Sequence, residues 1–426
     1  MSQITWGLLA PEKVSSIRRN RSLELNGVIR YYNERAVPGT ASVWYGKQLL
    51  LAVLGIAVAV KVREGRKKVQ NIPVANAIEA LAFKVTMLKN KGAVDKRVKG
   101  LTKLLLRPFT DFSYKNISKT GFYLVQPMRM STAQALIPLG LASSSNSRFN
   151  SFTLTDLGNE LIKKSGAKDL IEILANWVSG DPKLNFSGRV PSNLSCLNVN
   201  EPLPKDALKL LREVLVKSSL EGYKEDSIRR RNALCWMETL HQNEEPIDFN
   251  STQPENLSSE HWADIKIGAH FNHVKFLALQ VLNQIEGTIA DKTSTGITVE
   301  SLAKNDSIID AIKLLSDLAT NFLNYNNTHP DALKFCRECS LNKNVDGIKS
   351  VITNLVSRDM STLIIQGNSI RPGEAFENRS IDISIKDDSP LGQFPPHISY
   401  RISNLYLLNM DLQNQLSNHL AEELLS

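Results

Sequence analysis

Cys336 and Cys339 stand two residues apart, the spacing of half a zinc site. A structural zinc needs a second pair at comparable spacing, and neither Cys196 nor Cys235 supplies one. The pair therefore reads as packing on a helix. His261, His270 and His273 fall on one helical stretch with Asp264 upstream, but three ligands on one straight helix do not converge on a single ion. Ala41-Ser-Val-Trp-Tyr-Gly46-Lys47-Gln48 resembles a phosphate-binding loop only in part, because Ala41 replaces the first glycine and Gln48 the magnesium-binding hydroxyl. Two-metal cleavage requires several converging carboxylates. Asp264-Ile-Lys266, on a helix, and Asp382 with Lys386, on an expected strand, do not assemble them. No Gly-x-Ser-x-Gly elbow is present. The expectation is a non-catalytic chain with no cofactor and no metal site, the rival enzyme reading being a divergent metal-dependent nuclease in the C-terminal half.

The elements that would carry any function are mainly helical. A chain of 426 residues with 42% hydrophobic and 22% charged residues buries a sizeable core and suits more than one domain. Leu49–Val60 is a twelve-residue apolar run between Lys47 and Lys61, too short to span a membrane and suited to a buried helix. Residues 73–91 place Ile78, Leu81, Ala82, Val85 and Leu88 on one helical face behind Pro73. Helical stripes recur at Pro204–Ser218, Asp226–His241, His261–Glu286, Ser307–Asn324, Asp331–Ser340 and Val345–Val356. A small β insertion is expected near 361–386, with strands at 363–365 and 381–385 separated by Arg371-Pro372-Gly373. The last helix, 402–425, carries leucine every fourth residue from Leu408 to Leu424, a seam for the chain's own core or for a partner subunit. Proline- and glycine-rich residues 180–204 and the polar stretch 242–259 mark boundaries. They imply a basic N-terminal domain at 1–180 and an acidic, mainly helical domain at 204–426.

Charge separates the same two halves. Residues 1–150 hold 24 Lys+Arg against 7 Asp+Glu, and the remaining 276 hold 27 against 36. Between Lys61 and Arg129 sixteen basic residues face four acidic ones, interleaved with apolar positions as on folded helices. Arg63, Arg66, Lys67, Lys68, Lys96, Arg97, Lys99, Lys103, Arg107 and Arg129 are the candidates for phosphate contact. Such contacts bind strongly, with high salt sensitivity and little sequence preference. A second cluster, Arg229-Arg230-Arg231, opens a helix and cannot direct all three side chains to one face.

Residues 131–162 follow this block with a short helix ending in Leu139-Gly140-Leu141. A polar stretch containing Arg148 comes next, then Phe152-Thr-Leu-Thr155 and a helix beginning Thr155-Asp-Leu-Gly158. That order resembles the second half of a winged helix-turn-helix domain, over about residues 95–165. The resemblance implies that Ser131, Thr132 and Gln134 contact bases or phosphates, that Arg148 is the wing-tip cation, and that Thr155 caps the following helix. Pro138 ends the first helix near Ile137.

These features together lead to the expectation of a non-catalytic DNA-binding or adaptor subunit of a multi-protein nucleic-acid system, one setting being bacterial defence against phage or mobile elements. Its partners would be duplex DNA, gripped largely without regard to sequence, and other protein subunits. No membrane role is expected. Four cysteines and the lack of a cleavable signal suit a reducing cytoplasm. A docking scaffold that uses the winged helix for protein contact is the third reading.

Overall fold

The twelve-residue apolar run is the middle of a 19-residue helix with almost no wet face. A computed structural model describes residues 21–90, 95–105, 112–180, 192–217, 224–240, 253–292, 296–326, 328–341, 346–376 and 394–423. Helices dominate it. Its residues fall into two compact units, neither of them continuous in sequence. One takes its described residues from Met1–Asn33 and Ala263–Ser399, and the other from Glu34–Glu245, Thr252–Trp262 and Tyr400–Ser426.

The front of the chain forms α1 (Asn26–Ala36), α2 (Gly46–Glu64), α3 (Asn71–Lys89), α4 (Leu101–Leu105), α5 (Tyr114–Ile117) and α6 (Met128–Leu136). A two-stranded hairpin follows, β1 (Ala142–Ser143) against β2 (Thr153–Leu154), antiparallel with Ala142 opposite Leu154. After it come α7 (Asp156–Lys164), α8 (Leu170–Val178), α9 (Lys205–Val216) and α10 (Lys224–Leu240). Leu49, Leu50, Leu51, Val53, Leu54, Ile56 and Val58 on α2 are all buried, each contributing about 1.5–3 kcal/mol relative to exposure. The carboxamide oxygen of Gln48 accepts the backbone N–H groups of Trp44 (2.7 Å) and Tyr45 (3.2 Å), closing the open end of α2. Against this central helix pack α3, α6, α7 and α8. Among the described residues no helix is long and apolar enough to cross a membrane.

Thr155 caps α7 as the sequence implies, its hydroxyl accepting Gly158 N–H at 3.2 Å. Gly158 is a glycine because a Cβ there would lie 2.2 Å from the carbonyl oxygen of Leu141. Helix α7 thus seats directly against the start of the hairpin. Helix α6 ends at Leu136, ahead of Pro138.

The back of the chain forms α11 (Ser259–Lys292), β3 (Ile297–Thr298), α12 (Val299–Leu302), α13 (Asp306–Phe322), α14 (Pro330–Cys339), α15 (Asp346–Asp359), β4 (Leu363–Gln366) and β5 (Ser369–Pro372). Phe271, Phe322 and Phe335 from three of these helices meet in one core with Ile312, Leu355 and Leu363. Arg21, fully buried, pairs with Asp359 (3.2 Å) and Glu286 (3.0 Å) in the same unit. The sheet is ordered β3-β5-β4. Arg371 and Pro372 belong to strand β5 and are not the turn expected from sequence. The turn is Gly367-Asn368, where Gly367 takes the positive φ (+62°) that a two-residue hairpin loop demands. The strand expected at 381–385 lies outside the described residues.

The chain closes with α16 (Tyr400–Leu412) and α17 (Leu416–Glu423), where the sequence implies one helix. Asn414, at φ +60°, breaks it, and the N–H of Gln415 donates to Met410 O at 2.8 Å across the break. Leu408, Leu416 and Leu420 are buried, and α16 packs on α9 and α10 of its own unit.

Candidate nucleic-acid interface

Helix α2 ends in a turn held by two crossed hydrogen bonds: Lys67 N–H to Val62 O (3.4 Å) and Arg66 N–H to Arg63 O (2.9 Å). This six-to-one, five-to-two pair is the helix stop that places one residue in the left-handed region, usually glycine. The same pair of bonds closes α6, α7 and α16, and there the left-handed residues are Gly140, Gly166 and Asn414. After α2 it is Arg66, at φ +63°. Gly65 stands immediately before it with an ordinary negative φ. A cation thus occupies the one backbone position in this turn that disfavours a side chain, and strain of this kind gathers at functional sites.

The turn is fastened to the hairpin tip by two asparagines. Asn71, fully buried, donates its amide to the carbonyls of Phe149 and Phe152, both at 2.9 Å, and accepts Arg63 Nη1 at 2.9 Å. Asn150 accepts Ile72 N–H at 2.9 Å and donates to the Gln70 side chain at 3.2 Å. Inside the tip the Asn146 carboxamide oxygen accepts Arg148 N–H (2.9 Å) and the Ser151 hydroxyl (2.6 Å). Arg63, Arg66, Lys67, Lys68 and Arg148 are all exposed around this junction. Lys67 also reaches the carbonyl of Ser179, at the end of α8.

Beneath the tip, Arg129 serves packing. Its guanidinium lies over the Phe149 ring at 5.1 Å and donates to Asn76 at 2.8 Å. The buried carboxyl of Glu79 on α3 holds the start of α6, accepting the backbone N–H of Met128 (2.6 Å) and Arg129 (2.9 Å) and the Tyr123 hydroxyl. Burial pushes that carboxyl above its ordinary range against these bonds. On α6, Thr132 is fully buried and donates to Met128 O at 3.1 Å, so it is withdrawn from any surface. Ser131 is half-buried and also donates to Met128 O, while Gln134 is exposed beside Met130.

The remaining basic candidates occupy another neighbourhood. Lys96 stands 6.0 Å from the Trp44 ring centre, and buried Arg97 pairs with Asp95 and reaches the Ser417 hydroxyl. Lys99 and Lys103 are exposed. Arg107 lies outside the described residues. Part of the basic excess is taken up internally: Lys61 is neutralised by Glu172 and Lys89 by Glu201, and Lys84 turns away from the surface to Leu104 O. In the second arginine cluster Arg230 is buried against the carbonyls of Leu215 and Pro38, and Arg229 pairs with Glu260.

The other candidate chemistry resolves into structure. Lys47, in the segment that resembles a phosphate loop, is buried and donates to the carbonyls of Cys196 (2.8 Å) and Asn198 (2.7 Å). Desolvation lowers its pKa to about 8. Burial pushes the Cys336 thiol up to about 12 and Cys339 well above its ordinary value, which leaves both thiols protonated and unreactive. Asp382 and Lys386 lie outside the described residues.

Three residues that organise the junction, Gln70, Asn71 and Asn150, escape a reading of the sequence for charge. Their signal is faint: an asparagine just before Pro73 marks a helix start, and an asparagine two residues after Arg148 marks a turn. Neither discloses that the two segments meet. No protein-family model, curated protein or solved structure matches this chain.

Proposed function

We propose that this protein is a non-catalytic DNA-binding subunit that grips the phosphate backbone of a duplex with Arg63, Arg66, Lys67, Lys68 and Arg148. The observation that carries the reading is the junction itself, in which Asn71 and Asn150 hold the basic turn after α2 against the hairpin tip that carries Arg148, from distant parts of the chain. Ordered cations exchange condensed counterions for protein contacts, and a tip fixed by internal hydrogen bonds loses little freedom on binding. Residues 128–164 act here as a winged-helix-like unit, with Arg148 at the tip and Gln134 on the helix face. The scarcity of cations on that face favours backbone contact over base reading. The acidic remainder serves partner subunits in the assembly.

The test compares fluorescence anisotropy of a labelled duplex with two triple variants at low salt. Replacing Arg66, Lys68 and Arg148 by serine is expected to weaken binding at least tenfold, and replacing Lys96, Lys99 and Lys103 is expected to weaken it less. The reverse order would assign the interface to the other neighbourhood. A second reading has its own observation: Val125 and Met130 are 66% and 48% exposed, and clustered exposed apolar side chains mark protein contacts. Absence of any salt-sensitive duplex binding by the unmodified chain would transfer the function to that docking role.

A further inference from the structure

A cavity of about 490 Å³ opens beside α11, entirely within the unit that contains residues 263–399. Five of its ten lining residues are Lys266, His270, His273, Tyr325 and His397; the others are alanine, isoleucine, leucine and proline. No carboxylate lines it among the described residues. Its volume is that of a small-molecule site.

The histidines are organised differently from a metal centre. His270 Nε2 lies 3.0 Å from the Leu318 carbonyl, which only accepts, so Nε2 carries the proton of the neutral ring. Nδ1 then accepts the Tyr325 hydroxyl at 3.3 Å. Both nitrogens of His270 are thereby committed, and the ring serves to position Tyr325. His273 and His397 stack face to face, centroids 4.3 Å apart and planes 13° from parallel. Lone pairs lie in the ring planes, so a stacked pair does not chelate an ion. Among the described residues no group of three metal-ligating side chains is assembled. His397 arrives from the segment before α16 in a left-handed backbone conformation (φ +64°), with its carbonyl accepting the Asn272 amide at 3.0 Å and its ring against Phe276. That strained residue is held in the cavity wall by three separate contacts.

We propose that this cavity binds a small organic anion of nucleotide size, its phosphate or carboxylate oxygens held by Lys266, His273 and His397 and its body by the apolar wall and Tyr325. The proposal stands independently of nucleic-acid binding. Burial holds His270 and His273 below the ordinary imidazole range, and a charge on His273 makes His270 harder still to protonate, against the hydrogen bond to the Leu318 carbonyl. Among the described residues, the titratable groups that share the lining with His273 are His270 and Lys266 on its own helix, Tyr325 after α13, and His397; Asp264 and Lys275 on α11 stand outside the lining. An entering anion favours the imidazolium form, so binding takes up a proton and tightens as pH falls.

The experiment follows the histidine ring signals of the full chain by NMR during separate titrations with AMP, citrate and inorganic phosphate. AMP or citrate is expected to shift the His270, His273 and His397 signals saturably, about tenfold more tightly at about pH 6 than at about pH 8. Preference between the two tells a phosphate group from a carboxylate. Inorganic phosphate fills only part of the cavity and should bind more weakly. Lys266→Met and His273→Phe, the latter keeping an aromatic ring in the stack, should each weaken binding about fivefold or more while the melting temperature stays within a few degrees. The proposal is overturned if neither organic anion shifts these signals at millimolar concentration, if binding tightens toward high pH, if inorganic phosphate binds as well as both, or if the two folded variants bind unchanged.

Discussion

Replacing Arg66 with glycine should make the protein more stable and a poorer binder of DNA. The left-handed conformation costs a non-glycine residue about 1–2 kcal/mol. Glycine relieves that strain but returns about 0.5–1 kcal/mol through the greater freedom of its unfolded chain. The turn's hydrogen bonds are backbone bonds, Lys67 to Val62 and Arg66 to Arg63, and survive the change. Arg66 is exposed, so no packing is lost. The net expectation is a gain of about 0.5–1 kcal/mol, seen as a higher urea midpoint at unchanged slope. Removal of one phosphate contact reduces the salt dependence of duplex affinity by about 0.9 in log–log slope. Urea denaturation and anisotropy on the same preparation give both numbers. A variant that loses stability, or one that binds DNA with unaltered slope, refutes the claim that strain at this turn is tolerated for the sake of a cation.

Other consequences concern the supporting structure. Asn71→Ala takes a donor from the buried Phe152 and Phe149 carbonyls, the second of which keeps the Phe152 N–H at 3.2 Å, and leaves Arg63 held through Val69 O, a loss of about 1–3 kcal/mol, whereas Asn150→Ala at the exposed edge should cost under about 1 kcal/mol and chiefly weaken duplex binding. Equal effects of the two in denaturant melts would contradict the roles given them. Lys47 in the folded chain loses its proton near pH 8, against 10.5 for the free side chain. The folded state therefore binds fewer protons across that window, and stability climbs by up to about 3 kcal/mol as pH rises through it. Lys47→Met removes the climb and takes a donor from the Cys196 and Asn198 carbonyls, the second of which keeps the Glu201 N–H at 3.3 Å, which lowers stability at neutral pH; a persisting climb assigns it elsewhere. Arg21→Met removes the buried guanidinium that lies 3.0 Å from Glu286 and 3.2 Å from Asp359 and should cost about 3–5 kcal/mol, with a loss below about 1 kcal/mol showing that water reaches the two carboxylates.

The helices are legible in the sequence because each needs only a local pattern. Twelve consecutive apolar residues disclose α2, and Leu208, Leu211 and Leu215 disclose the buried face of α9. Thr155 is legible for the same reason, a cap at the start of a helix, whereas the close approach of Gly158 to the Leu141 carbonyl leaves no local signal. The errors arise where two local signals compete. Arg371-Pro372-Gly373 carries the composition of a turn, but Gly367-Asn368 makes the tighter one and draws Pro372 into the strand. The leucine seam runs unbroken through 414, where asparagine accepts the left-handed conformation that ends α16.

The candidate interface is only half legible. Its cations stand out by count, but the count cannot separate Arg66 at the surface from Lys84 directed inward, or Lys68 from Arg97 beside Asp95. Which cations share a face depends on Asn71 reaching Phe149 and Phe152, 78 and 81 residues away. Hydrogen bonds of that span follow from the packing of α3 against the hairpin tip and leave no periodic trace. The strain at Arg66 is equally silent, since Gly65 beside it looks like the natural left-handed residue.

The most direct test of the account is the salt dependence of duplex affinity for the unmodified chain and for the variant with Arg66, Lys68 and Arg148 replaced by serine. The account predicts steep loss of affinity with salt for the first, and a log–log slope shallower by about 2 to 3 for the second. Equal slopes for the two proteins, or affinity that ignores salt, would contradict it.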